Sequence, residues 1–217
     1  MLLFRREQRE HHQLRQRIAK VNTAVAKLFD GKIIARVAQE LGLLGRDGKL
    51  KLEKDGDTSA LVDLLIFREK LEGRHPVEVF LEKQNDDFFP ALQRRLLEAY
   101  LKENHFSLFR VKARRERRFL DLEPLLENQE KLVLDEVVLA RVADDDWILA
   151  GRFIPWEGCW IHPDLIYAFD PSATDKIFGE LERLEPKSGL PYCDCPEKYP
   201  HFFFRIYREF GIPLGNR

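Results

Sequence analysis

Apolar residues in the N-terminal half of the chain recur every three or four positions, the spacing that places side chains on one face of a helix. The longest such stripe predicts a helix over residues 6–29, and its members are Leu14, Ile18, Val21, Val25 and Leu28. The same spacing predicts a second helix that ends at Gly42, one over residues 58–71, one from Pro76 and one over residues 88–101. The alternation in Lys49–Leu52 predicts a loop with a short strand between the second and third helices.

From His105 onward the apolar residues fall in short runs rich in Phe, Val, Leu and Trp, the pattern of β-strands. The predicted strands are residues 106–111, 118–122, 131–134, 137–142 and 147–154. Charged segments separate them, and we interpret Arg114–Arg117 and Asp144–Asp146 as the tips of hairpins. Short consecutive strands joined in this way predict an antiparallel meander or a small barrel.

Two further helices are predicted after the strands. Ser172 and Asp175 have the spacing of a capping box at the start of the first, and the second is predicted over residues 200–210. The fold class that follows is α+β, with an N-terminal helical half packed on a small antiparallel β-sheet or barrel and with C-terminal helices. The domain division is residues 1–104, helical, and residues 105–217, β-rich with the C-terminal helices.

The composition is that of a charged globular protein. The 217 residues include 36 basic and 37 acidic side chains, so the net charge of −1 lacks the basic excess typical of nucleic-acid-binding domains. Three cysteines, an odd and small number, argue against a secreted disulfide-bonded protein. We find no apolar run long enough for a signal peptide or a membrane span. We therefore expect a cytoplasmic protein that needs no cofactor to fold.

Three segments together resemble a group of uncharacterised bacterial proteins with a helical half followed by a β half. They are Ala35–Leu50 (ARVAQELGLLGRDGKL), Tyr100–Val111 (YLKENHFSLFRV) and Asp135–Gly151 (DEVVLARVADDDWILAG). Some members of that group carry a SecA-type C-terminal zinc knuckle, in which Cys-x-Cys is followed by Cys-His or Cys-Cys. The tail of this chain keeps only the first pair, so the resemblance implies a degenerate knuckle and no particular activity.

Cysteine and histidine residues near the C-terminus suggest zinc, which takes four nitrogen or sulfur ligands. Cys159 and His162 form a Cys-x-x-His pair, and Cys193 and Cys195 form a Cys-x-Cys pair with His201 close behind. Cys159 and His162 lie in a strand-like stretch, where alternate side chains face opposite sides, so the two diverge unless a turn intervenes. Three reduced thiols without metal are the alternative interpretation.

Aromatic residues are dense in Pro155–Pro163, which contains Trp156 and Trp160, and the tail adds Tyr192 and Tyr199. Aromatic side chains beside proline and glycine are typical of a groove that grips a partner protein, because they supply large, rigid contact areas. Packing of the same side chains in the core is the alternative. This segment is the predicted partner-binding site.

Arginines suggest a second kind of partner. The densest cluster is the predicted hairpin tip with Arg114, Arg115, Arg117 and Arg118, where a β-ribbon would contact nucleic acid. The first predicted helix also has a basic face, and its heptad-like stripe suits pairing with a second copy of the chain. A solvated helix face and a solvated turn are the alternative and commoner explanations of these two features.

No motif of a known enzyme class is present: we find no P-loop, no Gly-x-Gly-x-x-Gly, no Gly-x-Ser-x-Gly and no His-Glu-x-x-His. The leading hypothesis is therefore a non-enzymatic module that binds a protein partner. The alternatives are a nucleic-acid-binding protein and an enzyme whose site is assembled from scattered residues.

Overall fold

Helices dominate the N-terminal half of the chain, and the remainder combines strands with further helices. The computed structural model describes residues 2–54, 56–84, 90–102, 104–126, 129–188 and 200–213. The chain forms a helical unit, residues 1–104 with 163–165, and a barrel unit, residues 105–162 with 166–217. The α+β class predicted from the sequence is confirmed.

Five α-helices are described in the helical unit. They are α1 (Leu2–Ala26), α2 (Gly31–Glu40), α3 (Asp57–Phe67), α4 (Pro76–Lys83) and α5 (Ala91–Lys102). Ile18, Val21 and Val25 of the predicted stripe are buried, so the apolar spacing identified the core-facing side of α1. The Asp30 carboxylate accepts a hydrogen bond from the Ile33 amide at 2.9 Å, and this cap separates α2 from α1.

A buried asparagine explains why residues 163–165 belong to the helical unit. The Tyr100 hydroxyl donates to Asn22 Oδ1 at 2.9 Å, and the Asn22 amide donates to the Pro163 carbonyl. Ser59 adds a 2.7 Å hydrogen bond to the Asp164 carboxylate. Burial raises the pKa of Tyr100 far above its ordinary value, so the phenol stays neutral and keeps donating.

Six strands form one sheet in the barrel unit. They are β1 (His105–Arg115), β2 (Phe119–Pro124), β3 (Leu132–Asp135), β4 (Ile148–Trp156), β5 (Cys159–Ile161) and β6 (Ile166–Phe169). The order is β1-β2-β3-β5-β4-β6, and pairing of β1 with β4 closes the first five into a barrel. β3 and β5 are parallel, and the other pairings are antiparallel. A bulge in β1 between Val111 and Ala113 lets this strand bend from one partner to the other.

Alternate residues of the barrel strands fill the interior, as strand periodicity requires. The rings of Phe109 and Phe153 meet edge to face with centroids 4.8 Å apart. The buried interior residues of β1 to β4 are Phe109, Val111, Leu120, Leu122, Leu132, Leu134, Leu149 and Phe153. The barrel predicted from short alternating strands is thus present, with a packed apolar core.

Two details of the predicted strand pattern are wrong. Residues 137–142 are not a strand, because Leu139–Val142 form the short helix α6, whose Leu139 and Ala140 join the barrel core. A run of six residues shows too little periodicity to distinguish the two structures. Asp144–Asp146 are not a hairpin tip: they connect α6 to β4, and the Asp146 amide donates to the Val111 carbonyl at 2.8 Å.

The C-terminal part of the barrel unit contains α7 (Thr174–Ser188) and α8 (Pro200–Phe210), after a 3-10 turn over Pro171–Ala173. The predicted capping box at Ser172 is wrong, because the Asp170 carboxylate accepts from the Ser172 amide at 2.9 Å and caps the preceding turn. Strand β6, which was not predicted, packs against α8, with the rings of Tyr167 and Tyr207 5.2 Å apart.

Candidate functional site

The outer side of β2 and β3 carries side chains that are partly buried, apart from the buried Asp135. Leu120 and Leu122 point inward, so the residues between and beside them point outward. We call the outward residues of the two strands the barrel face, namely Phe119, Asp121, Glu123, Val133 and Asp135. Phe119 lies directly opposite Asp135 in the antiparallel register, and Asp121 lies opposite Val133.

Each acidic residue of the barrel face has a basic partner. Arg115 Nη2 lies 2.6 Å from Asp121 Oδ1, and Lys131 Nζ lies 3.1 Å from Glu123 Oε1. The hydrogen bond from Lys131 lowers the pKa of the Glu123 carboxyl. Basic side chains next to the barrel face therefore neutralise the charges of Asp121 and Glu123.

The third ion pair, between Arg118 and Asp135, is the strongest, because its hydrogen bonding is bidentate and the Asp135 side chain is buried. Arg118 donates from Nε and Nη2 to the two oxygens of Asp135, at 2.8 and 2.6 Å. Its guanidinium carbon also lies 4.9 Å from the centre of the Phe119 ring, a cation–π distance. Phe119 is thus held by a fixed arginine at the end of the barrel face that adjoins the β1–β2 turn.

The predicted arginine cluster forms the turn between β1 and β2, and we call Arg114–Arg118 the arginine loop. Glu116 and Arg117 both adopt positive φ angles of 54°, which makes the turn tight. Arg114 Nε lies 3.9 Å from Asp145 Oδ1, while Arg115 and Arg118 make the pairs described above. Arg117 is exposed, and among the described residues it is the one arginine of the loop without an ion pair.

The predicted partner-binding tryptophans lie on the β4–β5 hairpin, whose turn is Glu157–Gly158. The φ angles there are 47° and 81°, as a type I′ turn requires. Trp156 is buried, with 8% of its surface exposed. Trp160 is half-buried against the barrel core, and its ring meets that of His105 at 5.3 Å. Tyr192 and Tyr199 lie outside the described residues, so their role stays a prediction.

A buried carboxylate and imidazole lie at the carboxyl ends of the parallel strands β3 and β5. His162 Nε2 is 2.9 Å from Glu136 Oε2, and both side chains are buried. The other oxygen, Glu136 Oε1, accepts from the Val138 amide at 2.8 Å. The Glu136 amide donates to the Arg118 carbonyl, also at 2.8 Å. Glu136 therefore ties the arginine loop to the segment that leaves β3, where Val138 is 48% exposed.

Of the predicted zinc ligands, the two that the structure describes are already engaged. The Cys159 thiol donates to the Trp156 carbonyl at 3.0 Å, and His162 contacts Glu136. Burial, followed by the nearby Asp135 carboxylate, raises the pKa of Cys159 to about 11, so it is a neutral thiol at physiological pH. The described residues hold no group of three or more potential metal ligands. Cys193 and Cys195 lie outside the described residues, and zinc binding there stays a prediction.

The sequence interpretation missed most of the barrel face. Phe119, Asp121, Glu123, Asp135 and Glu136 were not singled out as site residues. The signal was present in Phe119–Glu123, where apolar and acidic residues alternate and mark one exposed side of a strand. The ion pairs themselves depend on the register of β2 against β1 and β3, which no local pattern encodes.

None of the described helices is long and apolar enough to cross a lipid bilayer.

Comparison with known proteins places the chain in a family. No curated protein and no solved structure shows significant similarity to the chain. A model of a family of unknown function, DUF7986, matches residues 5–217, nearly the full length. The chain belongs to the DUF7986 family.

Proposed function

We propose that this protein is a cytoplasmic, non-enzymatic binding module that holds a segment of a partner protein on its barrel face. The observation that carries this proposal is the arrangement around Phe119, an aromatic ring fixed by Arg118 and surrounded by charges that cancel locally. Aromatic residues and arginine are the side chains most enriched at the centres of protein interfaces. The partner segment would cover Phe119 and the neighbouring Val133.

The barrel topology supports a binding role by analogy at the level of fold. A five-stranded barrel in the order β1-β2-β3-β5-β4, with a helix between β3 and β4, has the connectivity of the OB-fold. OB-folds bind ligands on the face of strands 2 and 3, between the β1–β2 and β4–β5 loops. The corresponding loops here are the arginine loop and the hairpin turn Glu157–Gly158. The analogy indicates where to look and does not identify the ligand.

The charge pairing favours a protein partner over nucleic acid. Binding to a phosphate backbone depends on cations that can replace the counterions of the nucleic acid. Three of the four arginines in the arginine loop are already paired with Asp145, Asp121 or Asp135. A partner protein of mixed charge, in contrast, can dock on a neutral face without breaking these pairs.

The contacts of Glu136 and His162 favour binding over catalysis. An acid–base pair must reach the proton that it transfers. Both oxygens of Glu136 are occupied within the fold, one by His162 and one by the Val138 amide, and both side chains are buried. The pair is therefore proposed to hold the arginine loop and β3 in position.

The test is selection of a displayed library of extended peptides against the purified chain, followed by affinity measurements on the selected peptides. Phe119→Ala is expected to weaken binding by about tenfold or more, because it removes the aromatic contact. Phe210→Ala is the control, since Phe210 is a phenylalanine of the same unit that is 38% exposed on α8, whereas Phe119 is partly buried. Equal affinity of the selected peptides for both variants would contradict the proposal.

Single-stranded nucleic acid is a second candidate, because the arginine loop lies beside an aromatic ring on which a base could stack. A labelled oligonucleotide titrated at several salt concentrations tests it. If all four arginines bind phosphates, the slope of log affinity against log salt is about −2.8, and if only Arg117 does, it is about −0.7. Absence of binding at low salt would remove this candidate.

A further inference from the structure

The segment Lys49–Leu52 of the helical unit runs antiparallel to residues 43–45 and pairs with them at a single β-bridge. The Gly45 amide donates to the Lys49 carbonyl and the Lys51 amide donates to the Leu43 carbonyl, both at 2.8 Å. These bonds flank the antiparallel bridge between Leu44 and Leu50. We call Lys49–Leu52 the lysine–leucine strand.

The outer edge of the lysine–leucine strand is open. Backbone groups of successive residues in a strand point to opposite edges, so those of Leu50 point away from residues 43–45. Within the part of the chain that the structure describes, neither the amide nor the carbonyl of Leu50 bonds another backbone group. Beyond the strand, the amides of Glu53 and Lys54 donate to the Asp57 carboxylate at 2.9 and 3.0 Å, which fixes its end.

The two faces of this strand differ in chemistry. Leu50 and Leu52 share one face and are 44% and 46% exposed, which places them among the most exposed large apolar residues that the structure describes. Lys49 and Lys51 share the other face and are exposed as well. An added strand would therefore meet leucines on one side and lysines on the other.

Pairing of two copies of this chain through the same edge is unfavourable. In an antiparallel pair related by a two-fold axis normal to the sheet, residues directly opposite each other lie on the same face. Whether Leu50 or Lys51 lies on the axis, a lysine then faces a lysine of the other copy. Like charges directly opposite each other destabilise a strand pair, and lysines on an edge are a common protection against self-association.

We infer that the open edge of the lysine–leucine strand binds an extended, acidic segment of a different protein by strand addition. Backbone hydrogen bonds to Leu50 provide the register, and apolar residues of the segment pack on Leu50 and Leu52. Aspartate or glutamate residues at the alternate positions face Lys49 and Lys51, because opposite charges directly across a strand pair stabilise it. This surface belongs to the helical unit and is independent of the barrel face.

The experiment uses fluorescence anisotropy with a short labelled peptide of alternating valine and glutamate and the full-length chain. Lys49→Glu/Lys51→Glu is expected to weaken binding by about tenfold or more, and the same peptide methylated on alternate backbone nitrogens is expected not to bind. The matched control is Lys20→Glu/Lys27→Glu, which makes the same charge change at two exposed positions, Lys20 of α1 and Lys27 directly after it. This control is expected to bind the peptide as the unchanged protein does.

A peptide of alternating valine and lysine supplies the reciprocal test, since it is expected to bind the Lys49→Glu/Lys51→Glu variant and not the unchanged protein. If Lys49→Glu/Lys51→Glu and Lys20→Glu/Lys27→Glu lowered the affinity for the valine–glutamate peptide equally, the peptide would be attracted by the net charge of the protein alone. Equal binding of the methylated peptide would show that backbone pairing plays no part. Either of these results, or no binding of the valine–glutamate peptide, overturns the inference.

Discussion

Replacing Glu136 with alanine lowers the free energy of unfolding of the barrel unit by about 3–5 kcal/mol, the expected cost of removing one partner from a buried pair. The change leaves His162 buried without its 2.9 Å contact and leaves the Val138 amide without its acceptor. All three tryptophans of the chain, Trp147, Trp156 and Trp160, belong to the barrel unit. Tryptophan fluorescence during urea denaturation therefore measures the loss in this unit.

Two variants make the measurement specific to the buried pair. Glu182→Ala removes an exposed carboxylate from α7 and is expected to change the free energy of unfolding by less than about 0.5 kcal/mol. Glu136→Ala/His162→Ala is expected to cost less than the sum of its single changes, because neither polar side chain is left buried without its partner. Equal stability of Glu136→Ala and Glu182→Ala would show that Glu136 has no structural role.

Phe109→Ala is the second large effect, a loss of about 3–5 kcal/mol from the free energy of unfolding of the barrel unit. Phe109 is fully buried on β1, opposite Pro124 of β2 and Leu149 of β4. Its removal leaves a cavity where β1 closes the barrel, and Phe153 loses its edge-to-face partner. Urea denaturation followed by tryptophan fluorescence gives the size of the loss.

Phe210→Ala is the control for this change, because Phe210 is 38% exposed on α8 and its removal opens no cavity in the barrel. A second check is Phe109→Ala combined with Phe153→Ala, which is expected to cost less than the sum of the two changes since their rings touch. If Phe109→Ala and Phe210→Ala had the same small effect, the barrel interior would not be packed as described.

Most of the helical unit could be predicted from the sequence, because each helix buries one side and spaces its apolar residues accordingly. Ile18, Val21 and Val25 show this for α1. The barrel was predictable for a related reason, since alternation in Phe119–Glu123 reflects one buried and one exposed side. Strand β6 was missed because it is four residues long, too short to show a period, and β5 was recognised only as a strand-like stretch around Cys159.

The parts of the candidate site that could be predicted are those indicated by a pattern among neighbouring residues in the sequence. A run of charged residues between two strands correctly placed the arginine loop at a hairpin. The sequence did not indicate that acidic residues neutralise the arginines of this loop. Arg118 and Asp135, for example, are 17 positions apart in the chain and meet only through the register of β2 with β3. Core packing was one of the two interpretations of the aromatic segment, and the burial of Trp156 agrees with it for this side chain.

Amide hydrogen exchange of the protein with and without a selected peptide tests most directly whether the barrel face is the binding surface. The proposal predicts slower exchange on peptide binding in two ranges, residues 115–123 and residues 131–138, which contain Phe119 and Asp135. Exchange in α8, residues 200–210, should stay unchanged. Slower exchange confined to α8 or to the helical unit, with no change around Phe119, would contradict it.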